Sequence, residues 1–188
     1  MKKSLGAKVL AFPAPVWVVG TYGKDSQPNI MTASWAGICC SKPPCIYVSL
    51  REATHSYHSI MARKAFTVSI PSANHVKEAD FAGIASGKDT DKFAKLGLTS
   101  IKSELVDAPY VNEFPVVIEC KLVNTVPLGL HTMFVGEIVD VKADESVLLE
   151  NGKPSIGSVN PFLYDTGQMK YWSIGQELSN AFEKEGKF

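Results

Sequence analysis

Val16-Trp17-Val18-Val19-Gly20-Thr21-Tyr22-Gly23-Lys24-Asp25-Ser26-Gln27-Pro28-Asn29-Ile30-Met31-Thr32-Ala33-Ser34-Trp35 holds the first decision about fold. Val16 to Tyr22 is rich in β-branched and aromatic residues, which suit a pleated strand. Gly23-Lys24-Asp25-Ser26 closes it as a turn. Asn29 to Trp35 reads as a second strand, so the two predict an antiparallel hairpin. The turn has Gly-Lys without a Gly five places earlier or a hydroxyl residue after the Lys, so it is not a phosphate-binding P-loop.

Working outward, Ser41-Lys42-Pro43-Pro44 is a turn, and Cys45 to Leu50 is a third strand whose mixed apolar composition predicts burial on both faces. Thr54 stands where a helix N-cap would, ahead of a helix over His55 to Lys64. Ala65 to Ile70 is strand-like. Asn74 is placed to cap a helix over His75 to Ala85, and Asp89 one over Thr90 to Leu96. Val116 to Val126, Met133 to Val141 and Ser146 to Leu149 are further apolar runs, and Ser179 to Lys187 reads as a short terminal helix. Many strands and few helices between them predict a mainly β fold: an antiparallel sheet or barrel with helices at its edges. The lack of regular strand–helix alternation, and of any G-x-G-x-x-G after a strand, argues against a doubly wound nucleotide fold. No repeat and no shift in composition divides the chain, so residues 1–188 are expected to form a single domain.

Composition narrows the function. The 188 residues carry 19 Lys+Arg against 19 Asp+Glu, a formal net charge of zero. That lacks the basic excess of a nucleic-acid binder. No apolar run approaches the roughly 20 residues of a membrane span. Three of the four cysteines, Cys39, Cys40 and Cys45, crowd one segment, with Cys120 apart. They form neither C-x-x-C spacing nor a disulfide framework, which suits a reducing compartment, and the chain reads as cytoplasmic. Cys39 and Cys40 are expected to be partly buried and dispensable. His55 and His58 stand three apart on a helix without a third ligand nearby, so no metal site is expected.

Two segments carry candidate chemistry. In Cys45 to Ser56 a buried strand delivers Ser49 and Arg51 just before a helix start. Free N–H groups and the positive dipole end there favour phosphate. Arg51 adds a planar fork, and Thr54 and Ser56 add hydroxyls. The plain alternative is that Thr54 merely caps the helix and Arg51 pairs with a surface carboxylate. In Pro28 to Gly37, small and hydroxylated residues interrupt a strand ending in Trp35. Such a segment offers backbone groups to the edge of a planar heterocycle while Trp35 or Met31 walls its face. The plain alternative is a barrel strand with Trp35 in the core.

The order of these segments is more specific than any one of them. Asn29-x-x-Thr32-x-Ser34-Trp35, then Ser49-Leu50-Arg51-x-x-Thr54-His55-Ser56, then Phe66-Thr67-Val68-Ser69, then His131-Thr132-Met133-Phe134-Val135-Gly136-Glu137 resembles the flavin reductase-like family, and within it the flavoredoxins. The resemblance runs from about Ala14 to Gly175. It implies an FMN-binding split β-barrel, a homodimer with one non-covalent FMN per protomer, and a redox function of flavoredoxin type. NAD(P)H-dependent flavin oxidoreductase activity is the alternative, and a non-enzymatic flavin-binding module a second. By the same resemblance, Asn29, Met31, Thr32, Ala33, Ser34 and Trp35 line the flavin ring. Ser49, Leu50, Arg51, Thr54, His55 and Ser56 hold the ribityl phosphate, and His131 contacts the donor or the flavin. Leu130 stands where many flavin reductases have an acidic residue. The electron donor and acceptor, protein or NAD(P)H, stay open.

Overall fold

The computed structural model describes residues 1–181, and strands dominate them. In chain order come β1 (Ala14–Pro15), β2 (Trp17–Tyr22), β3 (Pro28–Ala33), β4 (Ala36–Ser41), β5 (Pro44–Arg51), α1 (His55–Arg63), β6 (Ala65–Ile70), α2 (Val76–Ile84) and α3 (Lys92–Leu96). Then follow β7 (Ser100–Lys102), β8 (Pro109–Val111), β9 (Val116–Leu128), β10 (His131–Ala143), α4 (Ile156–Val159), β11 (Phe162–Asp165) and β12 (Lys170–Ser173). Seven strands form one antiparallel sheet in the order β3-β2-β6-β9-β10-β5-β4. Its two edge strands, β3 and β4, are joined by Ser34-Trp35 alone. A sheet whose opposite edges are neighbours in the chain has to curl on itself, and a backbone bond from Ser49 N to Trp35 O (2.8 Å) fastens the corner. The result is an antiparallel split β-barrel with peripheral helices.

The apolar runs are explained by two cores. Successive strand residues point to opposite faces. In β2, Val19 enters the barrel interior with Ile46, Val48, Phe66, Ile118 and Phe134. Val18 enters a second core with Ile30, Ala79, Phe93, Phe114 and Phe162, where α2 and α3 cover the outer face. Both faces of β2 are therefore buried, and period-2 alternation is absent from its sequence. The same holds for β6, whose Phe66 and Val68 face the barrel while buried Thr67 donates to Pro109 O.

Several expectations are corrected. The N-cap of α2 is His75 rather than Asn74, because Ala73–His75 forms a 3-10 turn first. The cap of α3 is Asp91, whose carboxylate accepts from Ala94 N (3.0 Å), so the helix starts two residues after Thr90. The apolar run from Ser146 to Leu149 begins inside a 3-10 turn, Glu145–Val147. Cys39 and Cys40 are exposed rather than partly buried, because β4 is an edge strand paired only with β5. The expected terminal helix from Ser179 to Lys187 lies mostly outside the described residues. No helix among the described residues is long and apolar enough to cross a membrane.

Candidate functional site

The end of β3, the Ser34-Trp35 corner, the end of β5, the start of α1 and the start of β10 converge at one edge of the barrel. Register explains the convergence. Antiparallel pairing of β5 and β10 sets His131 opposite Arg51 and Met133 opposite Ser49. The rings of Trp35 and His131 lie nearly parallel, with centroids 6.4 Å apart and 18° between planes.

Two adjoining cavities occupy this edge. One, of about 330 Å³, is lined by Met31, Thr32, Ala33, Ser34, Trp35, Ser49, Leu50, Arg51, Thr54, His131 and Gly83. The other, of about 190 Å³, shares Met31, Thr54 and Gly83 and adds Asn29, His55, Ser56, the loop Ala85-Ser86-Gly87 and Lys92. All thirteen residues singled out from sequence line one or the other.

Their roles are not uniform. Ala33 and Leu50 are buried members of the barrel core, so they offer backbone rather than side chain. The Thr32 hydroxyl is already committed, donating to Ala79 O of α2. Thr54 holds the N-cap position of α1, but its Oγ1 donates to Arg51 O (2.8 Å) and caps nothing. This corrects the expected cap. It leaves the first-turn N–H groups of α1 without a side-chain acceptor. Ser56 is buried, its Oγ held by Asn29 Nδ2 (3.0 Å), so it braces the site from below rather than standing free. Arg51 is exposed, and no ion pair occupies it among the described residues.

Sequence reasoning missed Lys92. The first residue of α3, it is only 3% exposed, and its Nζ donates to Ile30 O and Ala82 O (2.7 Å each). Burial lowers its pKa from 10.5 to about 8. No carboxylate pairs with it among the described residues. His55, lining the same cavity, is lowered by burial and then by Lys88, Lys92 and His58. Gly87 was missed too. A Cβ there would fall 2.1 Å from Asn29 Oδ1, so the loop lies flush on Asn29 only because residue 87 has no side chain. Asn29 Oδ1 is buried without a hydrogen-bond partner. The only sequence signal for this wall was the small-residue run Ala82-Gly83-Ile84-Ala85-Ser86-Gly87 after a helix.

In the smaller cavity the uncapped helix start, the buried unpaired ammonium and the orphaned amide oxygen, with the free Arg51 guanidinium lining the larger cavity beside it, fit an anionic ligand with further polar groups. The neighbouring cavity, walled by Trp35, Met31 and His131, fits a planar ring continuous with that ligand.

Comparison with known proteins gives the same direction. Flavoredoxin of Desulfovibrio vulgaris (Miyazaki F) is 55% identical, with a TM-score of 0.94 over 98% of this chain and 99% of that one. Flavoredoxin from Methanosarcina acetivorans is 26% identical, with a TM-score of 0.88 over 98% and 96%. A protein with a split barrel domain from Shewanella frigidimarina NCIMB 400 is 22% identical, with a TM-score of 0.79 over 89% and 84%, a likeness of fold alone. A model of the flavin reductase like domain matches residues 9–173, and the chain belongs to that family.

Proposed function

We propose that the protein binds FMN non-covalently and acts as a redox protein of flavoredoxin type, taking up electrons and passing them on. The observation that carries this is the junction of the two cavities. A slot beside Trp35 and His131 adjoins a cationic pocket at the start of α1, the two sharing Met31, Thr54 and Gly83 as common lining. FMN, when bound, supplies the reversible electron and hydride chemistry.

The chain's own residues bind, orient and shield. Arg51 and the first-turn N–H groups of α1 hold the phosphate, and Lys92 adds charge from beneath. Trp35 and Met31 wall the ring, backbone groups of Thr32 to Ser34 meet its edge, and His131 stands at the mouth, placed to contact the flavin or the donor. We extend the reading to a homodimer. β4 has an unpaired edge carrying Ile38, and Leu128 and Leu130 project beside His131, all exposed apolar surface that a second copy would cover.

Titration of the purified protein with FMN and with riboflavin tests the site. FMN should bind tighter by one to two decades, the worth of about 1.5–3 kcal/mol in charge-assisted phosphate contacts. Equal affinities would overturn the phosphate assignment, and no binding of either would overturn the whole reading. NAD(P)H consumption by the loaded protein would move the reading to a flavin oxidoreductase. Gel filtration at micromolar concentration should give a dimer.

A further inference from the structure

Cys40 on β4 and Cys45 on β5 are register partners across the hairpin that turns at Lys42-Pro43. Directly opposed residues of an antiparallel pair have Cα atoms roughly 4.5–5.5 Å apart. That lies inside the roughly 4.4–6.8 Å range of disulfides. Both thiols are free. Their surroundings differ. Cys40 is exposed on the edge strand, whereas Cys45 is buried beneath it, and burial together with Cys40, Cys39 and Glu137 pushes its thiol up. Cys39 is exposed too, but the register shift between Ile38 and Cys40 makes it the extra residue of a bulge, and Cys40 is the residue paired with Cys45.

We propose that Cys40 and Cys45 are a reversible dithiol–disulfide pair, a modification site in which exposed Cys40 takes the oxidant and buried Cys45 resolves it. The oxidant is a small disulfide, RS–SR. Cys40 Sγ attacks one of its sulfurs as a thiolate, the S–S bond breaks, and one RS⁻ leaves, with the other RS– now joined to Cys40. Cys45 Sγ then attacks Cys40 Sγ, that mixed bond breaks, and the second RS⁻ leaves. The two thiol protons end on the two leaving thiolates, and two electrons pass from the dithiol to RS–SR. Accessibility selects the first step, because thiol–disulfide exchange needs the attacking thiol to be reached. The pair is not a relay to the proposed flavin site. Cys40 lies five residues along the chain from Trp35, on the order of 15 Å at a strand's rise.

The test uses the full-length protein and glutathione disulfide. After incubation, acid quench and alkylation under denaturing conditions, two of the four thiols should be protected, Cys40 and Cys45, while Cys39 and Cys120 are alkylated. Dithiothreitol should restore all four. Cys39→Ser should leave the link unchanged, and Cys45→Ser should halt at a stable glutathione adduct on Cys40. Alkylation of all four thiols after exposure, a Cys39–Cys40 link, a lasting adduct on Cys40 of the parent chain, or a link only between two copies would each overturn the proposal. If Cys45→Ser does not fold, the thiol map of the parent chain decides alone.

Discussion

Two buried ionisable side chains divide the molecule into a region that answers its own charge and one that does not. On β9, Glu119 is fully buried and meets the ammonium of Lys142, which also lies 3.2 Å from Asp140. Asp140 and Glu119 face each other across β9 and β10, so Lys142 bridges two like charges that would otherwise repel. At the α3 start, Lys92 is as deeply buried, yet it has only the carbonyls of Ile30 and Ala82. A buried charge normally has an opposite charge beside it. The first region is structural. The second keeps a positive charge turned toward a cavity, which is the mark of a site completed by something outside the chain.

The sharpest way to break this contrast is to remove each cation. Lys142→Met leaves the Glu119 carboxylate buried and unanswered. Stability should fall by about 3 kcal/mol, toward the low end for a broken buried pair because Lys142 keeps contact with water. That corresponds to a melting temperature lower by roughly 6–12 °C for a chain of this size. FMN affinity of the folded fraction should not change, and a loss of FMN without destabilisation would erase the distinction. Next, Arg51→Ala and Lys92→Met should each weaken FMN by one to two decades, about 1.5–3 kcal/mol, with riboflavin affinity moving much less. An Arg51→Ala protein that holds FMN as tightly as the parent would make Arg51 a surface residue.

A pH titration sharpens the same point. The free protein gives up the Lys92 proton near pH 8, whereas the unfolded chain keeps it to about 10.5. Between those values the unfolded state binds more protons, so the stability of the FMN-free protein should rise with pH there. FMN affinity should move the opposite way. A phosphate holds Lys92 protonated, so binding should weaken above about pH 8, by up to about tenfold per pH unit. Lys92→Met should flatten that profile, and an unchanged profile would mean the ammonium does not face the ligand. The smallest effect is expected at His131→Ala. FMN content should stay near that of the parent, since a lost ring contact is worth only about 0.5–1.5 kcal/mol. Reduction of the bound flavin should slow. A shift only in midpoint potential would assign His131 to the flavin, and a loss only of donor affinity would assign it to the donor.

The barrel was readable in sequence wherever a strand had one turn at each end. β2, β3, β5, β6, β9 and β10 all lie where β-branched runs meet Gly, Pro or Asn signals. β4 was not readable, because Gly37-Ile38-Cys39-Cys40-Ser41 shows neither alternation nor burial on an exposed edge. The ring wall and Arg51 were readable because they sit on local segments whose order is distinctive. Lys92 was hidden for a different reason. A lysine opening a five-residue helix next to Asp91 has the look of a solvated surface cation. Only the packing of α3 against β3 drives it inward. Thr54 shows the reverse failure, since its position as a cap was legible but the turn back to Arg51 O claimed its hydroxyl.

The two-residue bridge at Ser34-Trp35 makes the site a seam. Every other junction between neighbours of the seven-stranded sheet is a hydrogen-bonded ladder, whereas β3 and β4 meet through covalent continuity alone, with the Ser49 N to Trp35 O bond tying their corner to β5. Thermal breathing of the ring should therefore begin there, and a ligand lying across Met31, Trp35 and Ser49 acts as a clasp on the opening. Occupancy and ring closure are then one equilibrium: saturation at about a hundred times Kd adds roughly 2.7 kcal/mol to the closed form. That protection should concentrate at the Ser49 amide, whose bond to Trp35 O ties the corner to β5, while β6 and β9 exchange at the same rate with or without the ligand.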